Sequence, residues 1–274
     1  MRLMRYKQQG FAILGLTVLV TTIAFSFVLA QSALTARSAA NSEDAERDRY
    51  IVSAKEKIEA WYRRNVAEVD RGHGVANRFD KLFAESAIVP RWGVRYAVSE
   101  RIASGALSYR TIAIWLPESA ADPSALDPST GRFVAGLRTR FQIVDGQAIE
   151  AEAFAATLEL MRGFARALEA RFYAKRASDS DRVIDANYFR PRDPGCAAQA
   201  AEIPCLAGYV KAAELNWQVI LGIEPATLVS AWGSPILVSN TLDSQTSIPP
   251  FSMALQVATP WDTTIQLAAV QPID

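Results

Sequence analysis

Twenty consecutive residues without a charge, Phe11 to Ala30 (FAILGLTVLVTTIAFSFVLA), constrain this chain more than any other feature. Wound as a helix at about 1.5 Å per residue, they span about 30 Å, the thickness of a bilayer's hydrocarbon core. Arg2, Arg5 and Lys7 precede the run, and the first basic residue beyond it is Arg37. Positive charge is retained on the cytoplasmic side, so the expected topology is a single pass with the N-terminus in the cytoplasm and the bulk outside.

Three processing routes fit a basic leader ahead of an apolar run. A secretory signal peptide would be cut after Ala30, where Val28 and Ala30 supply small residues, although its apolar region is normally only about 7–15 residues long. An uncut signal anchor would keep Met1. The third route follows from the leader's end, Lys7-Gln8-Gln9-Gly10, with Phe11 and the apolar helix starting at once. Cleavage after Gly10 would remove the basic leader and leave the helix in place.

This junction resembles the prepilin peptidase site of type IV pilins and type II secretion pseudopilins. The resemblance, carried by roughly the first 30 residues, implies cleavage after Gly10 and methylation of Phe11. It further implies an inner-membrane helix that later packs in the core of a filament. Most members of the family have a glutamate at the fifth mature residue, thought to pair with a neighbour's N-terminal amine. Here that residue is Gly15, and the apolar run holds no carboxylate. The K-type minor pseudopilin and some minor pilins share this feature and are assigned to filament tips, so the departure points to a minor subunit. The partners implied are other pilin or pseudopilin subunits, the prepilin peptidase and inner-membrane lipid.

Helical periodicity continues beyond the run. Ile51, Ala54, Ile58, Trp61 and Tyr62 recur at three- and four-residue steps between charged residues. A helix from Phe11 to about Val69 would resemble the long pilin stem. The alternative is an anchor followed by a separate amphipathic helix, broken near Asn41-Ser42. Gly72-His73-Gly74 marks the end of the stem.

Strand-like alternation follows. Tyr109 to Pro117 places Ile112, Ile114 and Leu116 on one face, and Phe133 to Ile143 alternates apolar and polar residues. A loop containing Pro123 and Pro128 joins them, and Asp145-Gly146 is a hairpin-turn signal. Phe154, Leu158, Met161, Ala165, Leu168 and Phe172 then define an amphipathic helix. That helix is either a partner-binding seam or a helix packed on its own sheet. The second reading is preferred, because sustained pairing needs more heptads. Phe251, Met253, Leu255 and Val257 alternate strictly, Thr263 to Val270 follows the Pro260-Trp261-Asp262 turn, and a β-meander is expected. Trp232-Gly233-Ser234-Pro235 is similar to the Trp-Gly-x-Pro segment that opens the late sheet of many pseudopilins; it also reads simply as a turn beside a buried tryptophan.

Composition narrows the function. Acidic and basic residues balance at 29 each, which lacks the basic footprint of a nucleic-acid binder. His73 is the sole histidine, and no nucleophile, phosphate-loop, dinucleotide or zinc-protease motif occurs, so an enzyme is not expected. Cys196 and Cys205 are the only cysteines. They either close one short disulfide loop, worth roughly 2–3 kcal/mol in an oxidising compartment, or are two separate buried thiols. Export favours the disulfide. No cofactor is implied except calcium: Asp179, Asp181 and Asp185, or Glu118, Asp122 and Asp127, could offer oxygen ligands, and several pseudopilins hold calcium. Neither set has the EF-hand pattern, and the preferred reading of the same acids is solvated loop residues beside Arg182 or Arg132.

The expected chain is therefore α+β. It comprises a basic leader (1–10), a transmembrane helix (11–30), an extended stem helix (31–70) and an exported head (71–274). The head would be pilin-like, with an antiparallel β-sheet and an inserted helix near 150–176. The function expected is a minor pilin or pseudopilin subunit of a type IV pilus or type II secretion filament. The alternative is a signal-anchored envelope binding protein or adhesin that forms no filament.

Overall fold

The computed structural model describes residues 3–69, 79, 81–178, 189, 206, 208–215, 221–240 and 250–271, with side chains from Phe25 onward except at 36, 40 and 225. The chain is α+β. Helix α1 (Leu3–Val69) runs without interruption past Asn41-Ser42. Two compact units are present, Met1–Ala54 and Lys55–Asp274.

The second unit begins inside α1. Ile58, Trp61, Tyr62, Val66 and Val69 are buried at three- and four-residue steps and belong to its core. Trp61 Nε1 donates to Glu85 Oε2 at 2.8 Å on the short helix α2 (Leu82–Glu85), and its ring meets Phe79 at 5.8 Å. Each contact settles one end of an amphipathic side chain, the indole N–H in a hydrogen bond and the ring in apolar packing.

Three strands form an antiparallel sheet in the order β1 (Arg95–Val98), β4 (Thr111–Leu116), β7 (Arg140–Asp145). The hairpin β2 (Ile102–Ser104) and β3 (Leu107–Tyr109) lies between β1 and β4 in sequence. All six residues of β4 are buried. Its alternation separates Ile112, Ile114 and Leu116 from Ala113 and Trp115, yet both sets are covered, as a central strand requires. Ala113 and Trp115 pack with Leu126 and Phe133 from the small ribbon β5 (Ala125–Leu126) and β6 (Phe133–Val134).

The continuous strand expected over Phe133–Ile143 is instead two, β6 and β7, separated by a turn in which Thr139 N–H bonds to the Gly136 carbonyl. Gly136 supplies the break, and the alternation on its two sides serves two different pairings. Asp145-Gly146 is not a hairpin turn. Asp145 ends β7 and caps helix α3 (Gly146–Ser178), its Oδ1 accepting the Gln147 N–H at 2.9 Å. Aspartate serves N-caps as readily as turns. Gly146 is required by close approach: a Cβ there would lie 2.0 Å from the Arg110 carbonyl oxygen.

Helix α3 buries Ile149, Met161, Phe164, Ala165, Leu168 and Phe172, and packs against β3, β4 and β11 (Thr264–Val270). The amphipathic stripe is thus spent on its own unit. The last sheet is antiparallel in the order β11, β10 (Ser252–Ala258), β9 (Leu237–Ser239), β8 (Val210–Lys211). β9, β10 and β11 form the expected meander, and β8 extends its edge. Buried Asn240 accepts the Leu206 N–H and donates to the Phe189 carbonyl, both at 2.9 Å. One amide thereby satisfies two backbone groups that would otherwise be costly to bury.

Candidate functional site

The first unit offers a surface with a chemical preference. Phe25, Phe27, Val28, Leu29 and Leu34 are exposed, from 54% to 67% of their surface. At about 100° per residue they lie on opposite sides of α1 rather than along one stripe. Ser26, Gln31, Ser32 and Thr35 are interleaved with them. The hydroxyls within this stretch turn inward. Ser32 Oγ donates to the Leu29 carbonyl at 2.9 Å, and Thr35 Oγ1 to those of Gln31 and Ser32 at 3.1 and 2.9 Å. Such back-bonding lets polar side chains sit in apolar surroundings without orphan donors. Farther along, the helix becomes charged, with Glu43 and Arg47 paired at 2.6 Å across one turn.

Gly10 and Phe11 both fall within α1. Among the residues described with side chains, no helix is long and apolar enough to cross a membrane. Those residues include only Phe25–Ala30 of the apolar run.

The loop acids have other employment. Asp122 accepts the N–H groups of Glu118 and Ser124, at 3.0 and 2.7 Å, and the Thr139 hydroxyl at 2.6 Å. The bonds from Ser124 and Thr139 hold its carboxyl well below the usual carboxylate range. Asp127 accepts the Ser129 N–H and hydroxyl, both at 2.8 Å, and the Thr130 N–H at 3.3 Å. Ser129 and then Thr130 lower its pKa from 3.8 to about 2. Glu118 faces Arg138 at 3.5 Å. These carboxylates shape loops by accepting donors of their own chain, and among the described residues no three acidic, histidine or cysteine side chains gather as a metal site. Asp179, Asp181, Asp185, His73, Cys196 and Cys205 lie outside the described residues.

The second unit holds a polar contact that periodicity alone missed. Trp232 is fully buried in the turn Trp232–Pro235 and donates from Nε1 to Oε2 of buried Glu150 at 2.9 Å. Trp261 meets its ring edge-on at 5.3 Å and Phe154 at 6.4 Å. The signal was present in the sequence. Glu150 sits one helical turn before Phe154, in phase with the apolar stripe, and a carboxylate there must find a buried donor.

A cleft of about 490 Å³ is lined by Arg101, Leu107, Phe154, Trp261, Thr264 and Ile265, among others. Among the described residues, its lining has one charged side chain, Arg101, and no histidine, cysteine or carboxylate. Ser108, Thr263 and Thr264 add hydroxyls to a lining that is otherwise apolar. No protein-family model, curated protein or solved structure matches the chain.

Proposed function

We propose that this chain is a structural subunit of the type IV pilin and pseudopilin kind, a minor subunit of a pilus or secretion filament. Its work on this reading is assembly rather than turnover. The observation that carries it is the helix that follows the Gly10-Phe11 junction, apolar in sequence from Phe11 and exposing Phe25, Phe27, Val28, Leu29 and Leu34 on opposite sides. A prepilin peptidase would cut after Gly10 and expose Phe11. The helix would be held by inner-membrane lipid and then by the helices of neighbouring subunits, with the α+β unit on the periplasmic side or outside. An α+β head that begins within the same helix agrees with this arrangement.

Gly15, standing where most members of the family have glutamate, favours a subunit without a partner above it. The same residue is the observation that most favours the second reading, a signal-anchored envelope binding protein or adhesin that forms no filament. Mass spectrometry of the mature N-terminus, with and without a co-expressed prepilin peptidase, separates them. A methylated Phe11 that needs the peptidase is the expected result. Met1 would leave the anchored binding protein, and Gln31 a released secreted domain.

A further inference from the structure

The cleft beside α3 has a lining that one class of small molecule would satisfy. Its walls come from three places in the chain: Arg101, just ahead of β2, with Leu107 on β3; Phe154 on α3; and Trp261 and Ile265 from the β10–β11 hairpin. Two of these walls are braced. In the turn between β10 and β11, Thr259 N–H donates to the Thr263 carbonyl at 2.9 Å and Thr263 N–H to Thr259 Oγ1 at 3.1 Å. Trp261, inside that turn, packs edge-on against buried Trp232 at 5.3 Å. On the β2–β3 hairpin, Ser104 Oγ accepts from Gln147 Nε2 of α3 at 3.3 Å. A site with walls already in place loses little binding energy to ordering. Ser108 lines the same cleft and is only 4% exposed, yet among the described residues its Oγ has no hydrogen-bond partner. An orphan hydroxyl is costly to bury, and rotation about χ1 gives it three directions in which to donate.

We infer that this cleft binds a small aromatic carboxylate, its rings against Trp261 and Phe154 and its carboxylate taken by Arg101 and the Ser108 hydroxyl. Volume sets the size: about 490 Å³ holds about 16 non-hydrogen atoms at roughly 30 Å³ each. Charge sets the class. Arg101 is the charged residue of the lining, which among the described residues holds no carboxylate. It has a contact within its own chain, and the five N–H donors of a guanidinium can serve a second acceptor as well. One guanidinium balances one negative charge. A phosphate monoester, carrying about −1.5 to −2, would leave charge uncompensated among apolar walls. A cation would meet Arg101 as a like charge, and an apolar molecule without an acceptor would leave the Ser108 hydroxyl orphaned. The inference goes beyond the assembly role and does not rest on it.

The test irradiates the full chain in mild detergent with 4-benzoylbenzoate, a photoreactive aromatic carboxylate of this size, and with its neutral counterpart 4-benzoylbenzamide. The expected carboxylate adducts saturate with concentration, map to residues 101–108, 154 or 261–265, and are competed by 4-phenylbenzoate. The amide should label about tenfold more weakly or less, because it lacks the charge-assisted bond to Arg101. Arg101→Met should bring the carboxylate down to the level of the amide while amide labelling stays unchanged, which reports an intact cleft. Arg101→Lys should keep part of the preference. Ser108→Ala should weaken carboxylate labelling with no loss of Tm, because the orphan hydroxyl makes no bond that the unliganded fold would lose. Labelling that never saturates, adducts confined to residues outside the cleft, an amide as good as the carboxylate, or a preference that survives Arg101→Met would each overturn the inference.

Discussion

Trp232 and Glu150 make the most demanding test of the packing described above. Replacing Trp232 with Phe keeps an aromatic ring against Trp261 and Phe154 but removes the donor to Glu150 Oε2. Withdrawing one partner from a buried polar group costs about 1–3 kcal/mol. Shrinking the fully buried ring adds about 1–2 kcal/mol, a fraction of the roughly 3–5 for truncation to alanine. The sum is about 3 kcal/mol, or a fall of about 6–12 °C in Tm for a unit of this size. The companion variant Glu150→Met leaves the indole N–H buried without that acceptor and should cost about 1–3 kcal/mol. Trp232→Phe/Glu150→Met removes both ends of the contact, so its cost should be smaller than the sum of the singles by about 1–3 kcal/mol. Denaturant unfolding of the full chain in mild detergent, followed by circular dichroism, gives the three differences. Additivity within about 0.5 kcal/mol would refute the reasoning, because the indole and the carboxyl would then not depend on each other.

Two further outcomes follow from single positions. Gly146→Ala should destabilise by about 2 kcal/mol or more in the same assay, since the added Cβ must displace the Arg110 carbonyl or unseat the start of α3; an unchanged midpoint would contradict the close approach. Asp127 has a folded pKa depressed from 3.8 to about 2, so the stability it contributes is fully present above about pH 4 and is lost as the pH falls toward 2. The protection factors of residues 127–131, that is exchange rates corrected for their intrinsic pH dependence, should fall over that window, and Asp127→Asn should abolish that fall; a loss of protection confined to pH above 5 would assign it to another group.

Some elements were legible because one physical constraint dominated them. The stripe Phe154, Met161, Leu168, Phe172 specifies a helix wherever it packs, and α3 runs from Gly146 to Ser178 around it. The alternation of Met253, Leu255 and Val257 likewise specifies a strand, and β10 holds the centre of the last sheet. Where one residue type serves two geometries, sequence could not choose. Asp145-Gly146 is both a hairpin turn and a helix start, and the choice is made by the Arg110 carbonyl, 36 residues back in sequence and pressed against Gly146. Phe133–Ile143 alternates as one strand would, but the partners of its two halves, β5 and β4, lie in different ribbons.

The acids of the 118–127 loop show the same limit from the side of function. Glu118, Asp122 and Asp127 have the composition of a cation site, and composition is all that sequence reveals of them. What decides their role is the supply of donors nearby: Ser124, Ser129, Thr130 and Thr139 stand within reach and satisfy Asp122 and Asp127 without an ion. The consequence runs outward from that loop. A carboxylate so occupied braces the backbone that carries it, and the backbone that Asp122 braces ends in the turn that holds Leu137 in solvent.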